Sequence, residues 1–412
     1  MEGTGEPDGP RSLAAISASH GLNHFYFLVP PMALPSIMSE LGLSHYAAGL
    51  VVGAFGLTYA LLQIPFGHIA EGLGRKRVIL IGLLACSAGM ALAGLSEGFW
   101  QLLMAHLLAG AGGATYHPAG ISLVSDLFER KRGEAMGYHQ TGGAIGAFAS
   151  PLLTGALMAS HGWRFAFLFQ SAYGVLMALI LQLALEEPAE KGHKGVPRGG
   201  VGFRGFGPAL AFVAAATIYL LGYRGLTAFA PAFFVEKRGL DIAGSAMMFS
   251  ALQVAGIFGG PICGRLSDAI GRRALLAALI AAQAALLFAI TASWGWSLLF
   301  ALILYGFAIF GILAIQDAFI TELVPMAMRG ALLGIYVASN FLTSAIVPPL
   351  AGGMIDLWGY EAAFPALSLL TLAGIPILIL GTRGRRAQSP DDPARSLAKP
   401  LEADFRPKGP SR

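Results

Sequence analysis

The chain has 412 residues, of which 55% are hydrophobic and 12% are charged. A soluble domain carries about 25% charged residues, so a chain with this much apolar surface needs a lipid bilayer as its solvent. The formal net charge is +4, but the basic residues are scattered between apolar segments, which argues against a nucleic-acid-binding surface. The first eleven residues contain Glu2, Glu6 and Asp8 and no apolar core, so no cleaved signal peptide is predicted.

Twelve apolar runs are long enough to cross a bilayer, which takes roughly 20 residues each. Backbone polar groups cannot be left unpaired in hydrocarbon, so each run is predicted to be a helix. The predicted fold is an all-α integral membrane protein with twelve transmembrane helices. The runs are 14–39, 46–69, 77–95, 98–125, 133–160, 163–186, 207–235, 241–267, 274–291, 294–322, 329–357 and 361–382.

The runs divide into two sets of six, which predicts five segments. They are an N-terminus at 1–13, a first six-helix bundle at 14–186, a flexible linker at 187–206, a second bundle at 207–382 and a disordered tail at 383–412. Nearly all Lys and Arg residues fall on the side that holds both termini; the exceptions are Arg164, Lys237, Arg238 and the embedded Arg224. The positive-inside rule therefore predicts a plasma-membrane protein with both termini in the cytoplasm.

A stretch that begins at Gly67 recurs in related form 197 positions later, from Gly264. The first copy reads Gly-His-Ile-Ala-Glu-Gly-Leu-Gly-Arg-Lys-Arg, and the second reads Gly-Arg-Leu-Ser-Asp-Ala-Ile-Gly-Arg-Arg. The same offset, without a gap, relates Arg132 to Arg329 and Gly162 to Gly359. A register kept over this distance indicates an internal duplication. Six helices per copy place the two halves parallel, related by an axis along the membrane normal.

The Gly-x-x-x-Asp/Glu-x-x-Gly-Arg-Lys/Arg pattern between the second and third helices of each half resembles the signature loop of the major facilitator superfamily. The resemblance covers residues 12–384, with Glu71 where Asp is usual. It implies alternating access by two rocking bundles, with this loop latching the cytoplasmic gate. Ten residues are assigned to that gate: Gly67, Glu71, Gly74, Arg75, Arg132, Gly264, Asp268, Gly271, Arg272 and Arg329.

Polar side chains within the apolar runs are the candidates for function, because they are costly to bury in a bilayer. His20, Asn23 and His24 share one face of the first helix, at i, i+3 and i+4. His117 lies in the fourth helix and Gln140 in the fifth. Histidine titrates near neutrality, so His20, His24 and His117 are proton-coupling candidates, as is Asp317. The alternative for each is a structural hydrogen bond.

Arg224 and Asp317 are charged residues inside helices of the second half, at depths that predict no direct pairing. Each needs a partner or a wet cavity. Arg224 is a candidate anchor for an anionic group, and Asn23, Gln140, Gln316 and Asn340 join it as substrate-cleft candidates. No metal site is predicted, because only imidazoles are available and no carboxylate lies at ligand spacing. No cofactor is predicted either, and no P-loop sequence occurs.

Three stretches are similar to the fosmidomycin-resistance branch of proton-driven drug exporters. They are residues 16–24, Tyr116-His117-Pro118 and Gln140-Thr-Gly-Gly143. In that branch the first stretch ends in Asn-Asp, whereas His24 takes the place of the acid here. The fifth helix also resembles the Gly-rich, Pro-containing motif of antiporters, with Ser150 where Gly usually precedes Pro151.

The sequence therefore predicts a secondary active transporter of a small organic solute, acting by proton-coupled drug or metabolite efflux. Two alternatives stay open: a proton symporter that imports a small organic anion, and a non-transporting membrane receptor. An enzyme is not predicted, because no nucleophile–base or metal spacing occurs. The expected partners are the solute, protons and lipid, with the chain acting as a monomer.

Overall fold

The computed structural model describes residues 9–185, 207–323 and 329–382, with the backbone alone for 329–331. In these ranges the chain forms α-helices and no strand, which confirms the predicted all-α class. The proposed linker and tail lie outside the described residues. The helices are α1 (Pro10–Leu41), α2 (His45–Leu73), α3 (Arg75–Gly94), α4 (Phe99–Ala114), α5 (Tyr116–Leu127), α6 (Arg132–Ala184), α7 (Gly207–Arg238), α8 (Ile242–Val254), α9 (Gly256–Ile270), α10 (Arg272–Ala292), α11 (Gly295–Glu322), α12 (Arg329–Trp358) and α13 (Tyr360–Gly381).

These helices correspond to the twelve predicted runs, with three differences in how the runs are divided. The fourth run is split at Thr115 into α4 and α5, and the eighth is split at Ala255 into α8 and α9. The fifth and sixth runs are two helices that meet without a separate loop at Gly162, where the backbone is not helical, and α6 denotes both of them. In the described part of the chain, nine helical spans are long and apolar enough to cross a membrane by length and composition.

Glycines with positive φ mark the same points in both halves, 197 residues apart. Gly42 and Gly239 follow α1 and α7 (φ 62° and 63°), Gly74 and Gly271 precede α3 and α10 (φ 96° and 94°), and Gly162 and Gly359 have φ of 81° and 74°. Side chains rarely adopt this left-handed region, so glycine is favoured at each point. The caps repeat as well: Ser44 accepts from Ala47 N at 3.2 Å, and Asp241 accepts from Gly244 N at 2.7 Å.

The duplicated stretch is helical instead of forming the predicted loop. Helix α2 continues to Leu73 and α3 begins at Arg75, so the connection is Gly74 alone. In the second half α9 ends at Ile270 and α10 begins at Arg272, around Gly271. The expectation of a longer loop was wrong, because one left-handed glycine is enough to reverse the chain between two antiparallel helices.

The two bundles, α1–α6 and α7–α13, meet mainly through α2 against α12, α6 against α8, and α1 against α7. Glycines let the helix backbones approach closely: a Cβ on Gly49 would lie 2.4 Å from Pro348 O, and one on Gly56 would lie 2.5 Å from Ser344 O. The Gly49 contact lies one turn from His45, toward one end of the interface between the bundles. We name that end, which holds His45, Glu236 and Asp356, the clamp end, and the end with Gly74 and Gly271 the motif end.

Candidate functional site

Three imidazoles form a cluster on the inner wall of the first bundle. His20 and His24 come from α1, and His117 comes from the first turn of α5. The ring centroids are 4.7 Å apart for His20–His24, 5.2 Å for His20–His117 and 5.7 Å for His24–His117. The i, i+4 spacing on α1 explains the first pair. The helix break at Thr115, which starts α5 beside α1, brings in His117. We call these three residues the imidazole cluster.

Hydrogen bonds fix the proton positions in the cluster. His20 Nδ1 lies 2.8 Å from the carbonyl oxygen of His139, which can only accept, so Nδ1 donates. The other nitrogen of neutral His20, Nε2, is then an acceptor. His24 Nε2 lies 3.1 Å from it and must donate. One hydrogen therefore lies between the two imidazole nitrogens, and the lone pair on Nδ1 of His24 remains to take up a further proton.

His139 and Tyr116 support the cluster from behind. The His139 ring stacks on His20 with centroids 4.0 Å apart. Tyr116 donates its hydroxyl hydrogen to Ile16 O at 2.5 Å, and His139 Nε2 lies 3.2 Å from the same oxygen. His139 therefore donates from Nε2, while its buried Nδ1 has no partner among the described residues. His139 belongs to the site, although the sequence analysis did not select it.

Glycines on α6 leave the room that the cluster occupies. A Cβ on Gly143 would lie 2.8 Å from His20 Cε1 and 3.1 Å from His24 Cδ2. A Cβ on Gly146 would overlap Gly21 O at 1.8 Å, and one on Gly142 would lie 2.2 Å from Ser17 O. The Gly-rich track of the fifth predicted helix thus packs against α1, as small-residue tracks do in membrane bundles. Ser150 adds a hydrogen bond to Phe25 O at 2.7 Å.

Residues of the second bundle face the cluster across the cleft. Phe341 of α12 packs on Tyr59 and His117, with centroids 4.8 and 5.9 Å away. The guanidinium carbon of Arg224 lies 5.8 Å from the ring of Phe27, which is one turn from His24 on the same face of α1. Arg224 therefore lies on the wall opposite the imidazole cluster.

Arg224 has spare hydrogen-bonding capacity. Its one hydrogen bond runs from Nη2 to Asn340 O at a long 3.4 Å, and its Nε has no partner within the described residues. No described carboxylate forms an ion pair with it. The side-chain oxygen of Asn340 is likewise buried and unpartnered in the described part of the chain. An unpaired cation inside a membrane helix is costly, so this arrangement suits an anionic or acceptor group from a solute.

Other candidate residues have structural partners. Asn23 accepts from the Tyr59 hydroxyl at 2.8 Å and donates to Gly113 O at 2.9 Å, which ties α1 to α2 and α4. Gln316 is buried and accepts from the Tyr219 hydroxyl at 2.5 Å. Asp317 accepts from the Tyr336 hydroxyl at 2.6 Å and is exposed, as is Gln140. Asp317 and Arg224 lie apart, and Asp317 does not contact the imidazole cluster.

Ion pairs lie at the motif end of each bundle. Arg75 contacts Asp126, and Arg272 contacts both Glu322 and, at 2.8 Å, Asp268. Each pair stays within its own bundle. Arg132 donates to Ser125 O at 3.2 Å, and Glu71 is exposed. The side chain of Arg329 lies outside those described. Asp126 and Glu322 were not predicted as partners from the sequence, because only the folded bundle brings the end of α5 beside α3 and the end of α11 beside α10.

A second set of missed residues closes the clamp end. His45 of α2 lies with Nδ1 2.7 Å from Asp356 Oδ1 and Nε2 3.0 Å from Glu236 Oε2. The backbone nitrogens of His45 and Tyr46 donate to Asp356 at 2.9 and 2.8 Å. Carboxylates accept, so both ring nitrogens must donate and His45 is the imidazolium. We call these three residues the clamp; they join the first bundle to α7 and α12 of the second.

A cavity of about 950 Å³ lies elsewhere, between α1 and α6 on the flank of the first bundle. Its lining is largely apolar and includes Leu22, Phe25, Ile145 and Leu176. None of the substrate-cleft or proton-coupling candidates lines it.

The sequence model of the Major Facilitator Superfamily matches residues 16–315 and again 212–409. The chain belongs to this superfamily. The two overlapping matches cover both halves, and the predicted fold of twelve transmembrane helices in two related bundles is confirmed.

Similar proteins include several transporters. A probable L-galactonate transporter of Escherichia coli K12 is 30% identical over 35% of this chain and 32% of its own length. Multidrug resistance protein 1 of Bacillus subtilis is 30% identical over 59% of this chain and 61% of its own length. The chain thus spans less than two-thirds of these two relatives. An uncharacterised transporter of Mycobacterium tuberculosis is 27% identical over 86% of this chain and 82% of its length.

Solved structures share the fold. A bacterial homolog of the human lysosomal transporter Spinster, inward-facing and unoccupied, superposes with a TM-score of 0.74 at 21% identity, covering 91% of this chain and 96% of that one. The nucleoside transporter NupG superposes with a TM-score of 0.79 at 12% identity, covering 90% of this chain and 99% of that one. The resemblance to the fosmidomycin-resistance branch stays a prediction.

Proposed function

We propose that this chain is a secondary active transporter that exports a small organic solute in exchange for protons. The observation that supports this most directly is the imidazole cluster on one wall of the cleft with Arg224 on the other. In this proposal residues 14–186 and 207–382 form the two moving bodies, and the segments 1–13, 187–206 and 383–412 lie outside them. The site then faces each side of the membrane in turn, as alternating access requires.

The proton step is assigned to the pair His20 and His24. Their facing nitrogens, 3.1 Å apart, share one hydrogen, so a further proton adds a positive charge to an already hydrogen-bonded pair. His117, with its ring 5.7 Å from His24, offers the next acceptor toward the cleft. Imidazole is the side chain whose charge changes near neutral pH, and a transporter needs a group that loads and unloads within that range. Asp317, exposed and bonded to Tyr336, is a second proton candidate nearer the motif end.

The charge of the solute sets the direction of coupling. A solute that competes with the proton for the imidazole cluster can occupy the cleft only when the proton has left, so the two bind in turn and exchange results. This favours efflux, and one relative of this chain is a multidrug resistance protein. Asn23, Gln140, Gln316 and Asn340 are proposed as cleft residues beside Arg224, with Asn340 supported by its unpartnered side-chain oxygen.

Arg224 favours a second candidate, a proton symporter that imports a small organic anion. Its guanidinium has one long hydrogen bond and no described carboxylate partner. An anion bound there would stabilise a proton on the facing imidazoles, so the two would move together. L-Galactonate, named for one relative, is such an anion.

The proposed setting is the plasma membrane, with both termini and the motif end in the cytoplasm. This follows from the distribution of Lys and Arg between the two sides. Arg75 with Asp126, and Arg272 with Asp268 and Glu322, are proposed to change partners when the cytoplasmic gate closes. The clamp would then hold the outer side shut. The chain is proposed to work as a monomer.

Transport into liposomes of known orientation, under an imposed pH gradient, tests the proposal. A screen for solutes tolerated by an efflux-deficient host expressing this chain supplies the candidates. An exporter moves solute against the proton flow; a symporter moves solute with it. If no solute in the screen is linked to proton movement, the proposal is wrong and the receptor alternative gains support.

A further inference from the structure

We propose that the imidazole cluster is a binding site for a divalent transition-metal ion such as Zn²⁺ or Co²⁺. No metal site was predicted from the sequence, because only imidazoles were available and no carboxylate lay at ligand spacing. The fold supplies a third imidazole from another helix instead. One ligand nitrogen each from His20, His24 and His117 lies within 4.8 Å of the other two.

The spacing of the cluster suits a metal with nitrogen ligands. Zinc–imidazole bonds are about 2.0–2.1 Å long, so two nitrogens on one tetrahedral ion lie about 3.3 Å apart. His20 Nε2 and His24 Nε2 already lie 3.1 Å apart. The ligand nitrogen of His117 lies within 4.8 Å of the other two, so it needs to move by no more than about 1.5 Å to reach that spacing. Three imidazoles are a recurrent ligand set for zinc, and they leave the fourth position open.

The orientation of His20 is that of a metal ligand. Metal-binding histidines almost always donate their other ring N–H to a carbonyl or carboxylate, which fixes the ring and keeps the coordinating lone pair free. His20 Nδ1 donates to His139 O at 2.8 Å, and the stacked His139 ring holds its plane. This leaves the lone pair of Nε2 directed at His24. In the structure that lone pair accepts the hydrogen of His24; a metal ion would take the place of this hydrogen once the hydrogen has moved to Nδ1 of His24.

The cluster is open to the cleft. His24 and His117 are both partly exposed, while His20 behind them is buried. An ion can therefore reach the site from the cleft, and water or a solute atom can take the fourth position. The other titratable groups around the cluster are His139, Tyr116, Tyr59 and, on the opposite wall, Arg224. No described carboxylate contacts the three imidazoles.

The charges around the site define the ligand that accompanies the metal. Three neutral imidazoles leave a divalent ion with its full charge, and the guanidinium of Arg224 adds another positive charge across the cleft. An anionic group that binds the metal and pairs with Arg224 would offset the positive charge of the ion and that of the guanidinium. The inferred ligand is thus a metal ion together with a carboxylate- or phosphate-like group of a small solute. This second part rests on the proposed role of the cleft; the metal site itself rests on the cluster alone.

Metal and proton compete for the same lone pair. Metal binding requires neutral imidazoles, so it weakens as the pH falls. It also removes the hydrogen shared by His20 and His24. A bound ion is therefore expected to slow any flux that depends on that proton.

Cobalt titration of the full chain, purified in detergent with any histidine tag removed, tests the metal site. Co²⁺ absorbs visible light when imidazoles bind it in a tetrahedral site, and Zn²⁺ displacement gives the affinity. One ion per chain is expected. His24→Gln and His117→Gln each remove a direct ligand and should weaken binding by more than the roughly 10–100-fold that loss of an outer-shell partner costs. The matched control is His161→Gln, since His161 is exposed and contacts Ser160 away from the cluster.

Equal Co²⁺ affinity in wild type, His24→Gln and His117→Gln, all with unchanged elution profiles, would overturn the metal site. So would the absence of tetrahedral Co²⁺ absorption in the wild type. Proton-linked flux measured with and without a chelator separates the two proposals. Proton-linked flux without metal binding would support the proposed transport function and rule out the metal site. Metal binding without such flux would support the metal site and rule out the proposed transport function.

Discussion

At the residue scale, the hydrogen bonds within the imidazole cluster leave one imidazole lone pair available for proton exchange. His20 is fixed by the His139 carbonyl, so its Nε2 can only accept. His24 is the residue that can change partners, because it is partly exposed and donates to that nitrogen. The resembled exporter branch has an acid at this position. A neutral imidazole here carries a proton as a positive charge, whereas an acid carries it as a neutral group.

His24→Gln should abolish proton-linked flux while the protein still reaches the membrane. Glutamine keeps a donor for His20 Nε2 but cannot take up a proton near neutral pH. The measurement is solute flux into liposomes with and without a pH gradient. His161→Gln serves as the control and should behave like the wild type. Wild-type flux in His24→Gln would remove this residue from the mechanism.

At the element scale, helix α6 holds the site in place because its glycines admit α1. Gly143 faces His20 and His24 directly, and the same helix carries Gly137, where an added Cβ would meet nothing within 4 Å. The two positions differ in packing but not in helix or residue type. They therefore separate the effect of contact with the cluster from the general effect of alanine in α6.

Gly143→Ala should displace the two imidazoles and reduce flux by at least tenfold. Overpacking of this kind costs about 1–3 kcal/mol, so a lower melting temperature is also expected. Gly137→Ala should leave both flux and melting temperature near wild type. The checks are flux and thermal unfolding in detergent. Equal behaviour of the two variants would show that Gly143 does not constrain the cluster.

The one-residue connection between α2 and α3 gives a second test at this scale. Gly74 has φ of 96°, while the nearby Gly72 is helical and exposed, and a Cβ added to it would meet nothing within 4 Å. Gly74→Ala should cost roughly 1–2 kcal/mol and slow turnover, because alanine is strained in this conformation. Gly72→Ala should be neutral or slightly stabilising. If the gate role is right, turnover falls in Gly74→Ala while solute affinity is kept; a loss of affinity alone would contradict it.

At the scale of the whole molecule, the clamp joins the bundles at one end of the cleft. The ring of His45 donates to Asp356 and to Glu236 at the same time, and two backbone N–H groups of α2 also donate to Asp356. Ion pairs at the motif end stay within each bundle. The structure therefore has the arrangement of a state that is closed at the clamp end.

Asp356→Asn should shift the equilibrium toward a state open at the clamp end. The change removes a charge from the contact that joins the bundles, and raising the pH should act in the same direction, because loss of a proton from His45 removes one of its two donors. Spin labels on the exposed Trp100→Cys and Trp296→Cys, with Cys86 and Cys263 replaced by Ala, report the distance across this end. An unchanged distance distribution in Asp356→Asn would show that the clamp does not control opening.

Much of the fold could be predicted from local pattern. The apolar runs give the helices, and the 197-residue offset gives the duplication, which reappears in the paired glycines Gly42 and Gly239. Part of the candidate site could also be predicted from the sequence, because His20 and His24 are neighbours on one helix face. His139 could have been found from its place one turn before Gly143. Nothing local indicated that His45 would meet Glu236 and Asp356, which are 191 and 311 residues away.

The sequence by itself determined the membrane helices, the two parallel halves and the pairing of His20 with His24 on one face of α1. These features depend on composition and on spacing within a single helix. Only the tertiary structure decided that His117 and His139 join His20, that Arg224 faces them, and that the clamp closes one end. Those contacts join distant helices, and their geometry is set by how the helix backbones pack, through glycines whose closest neighbours lie on another element.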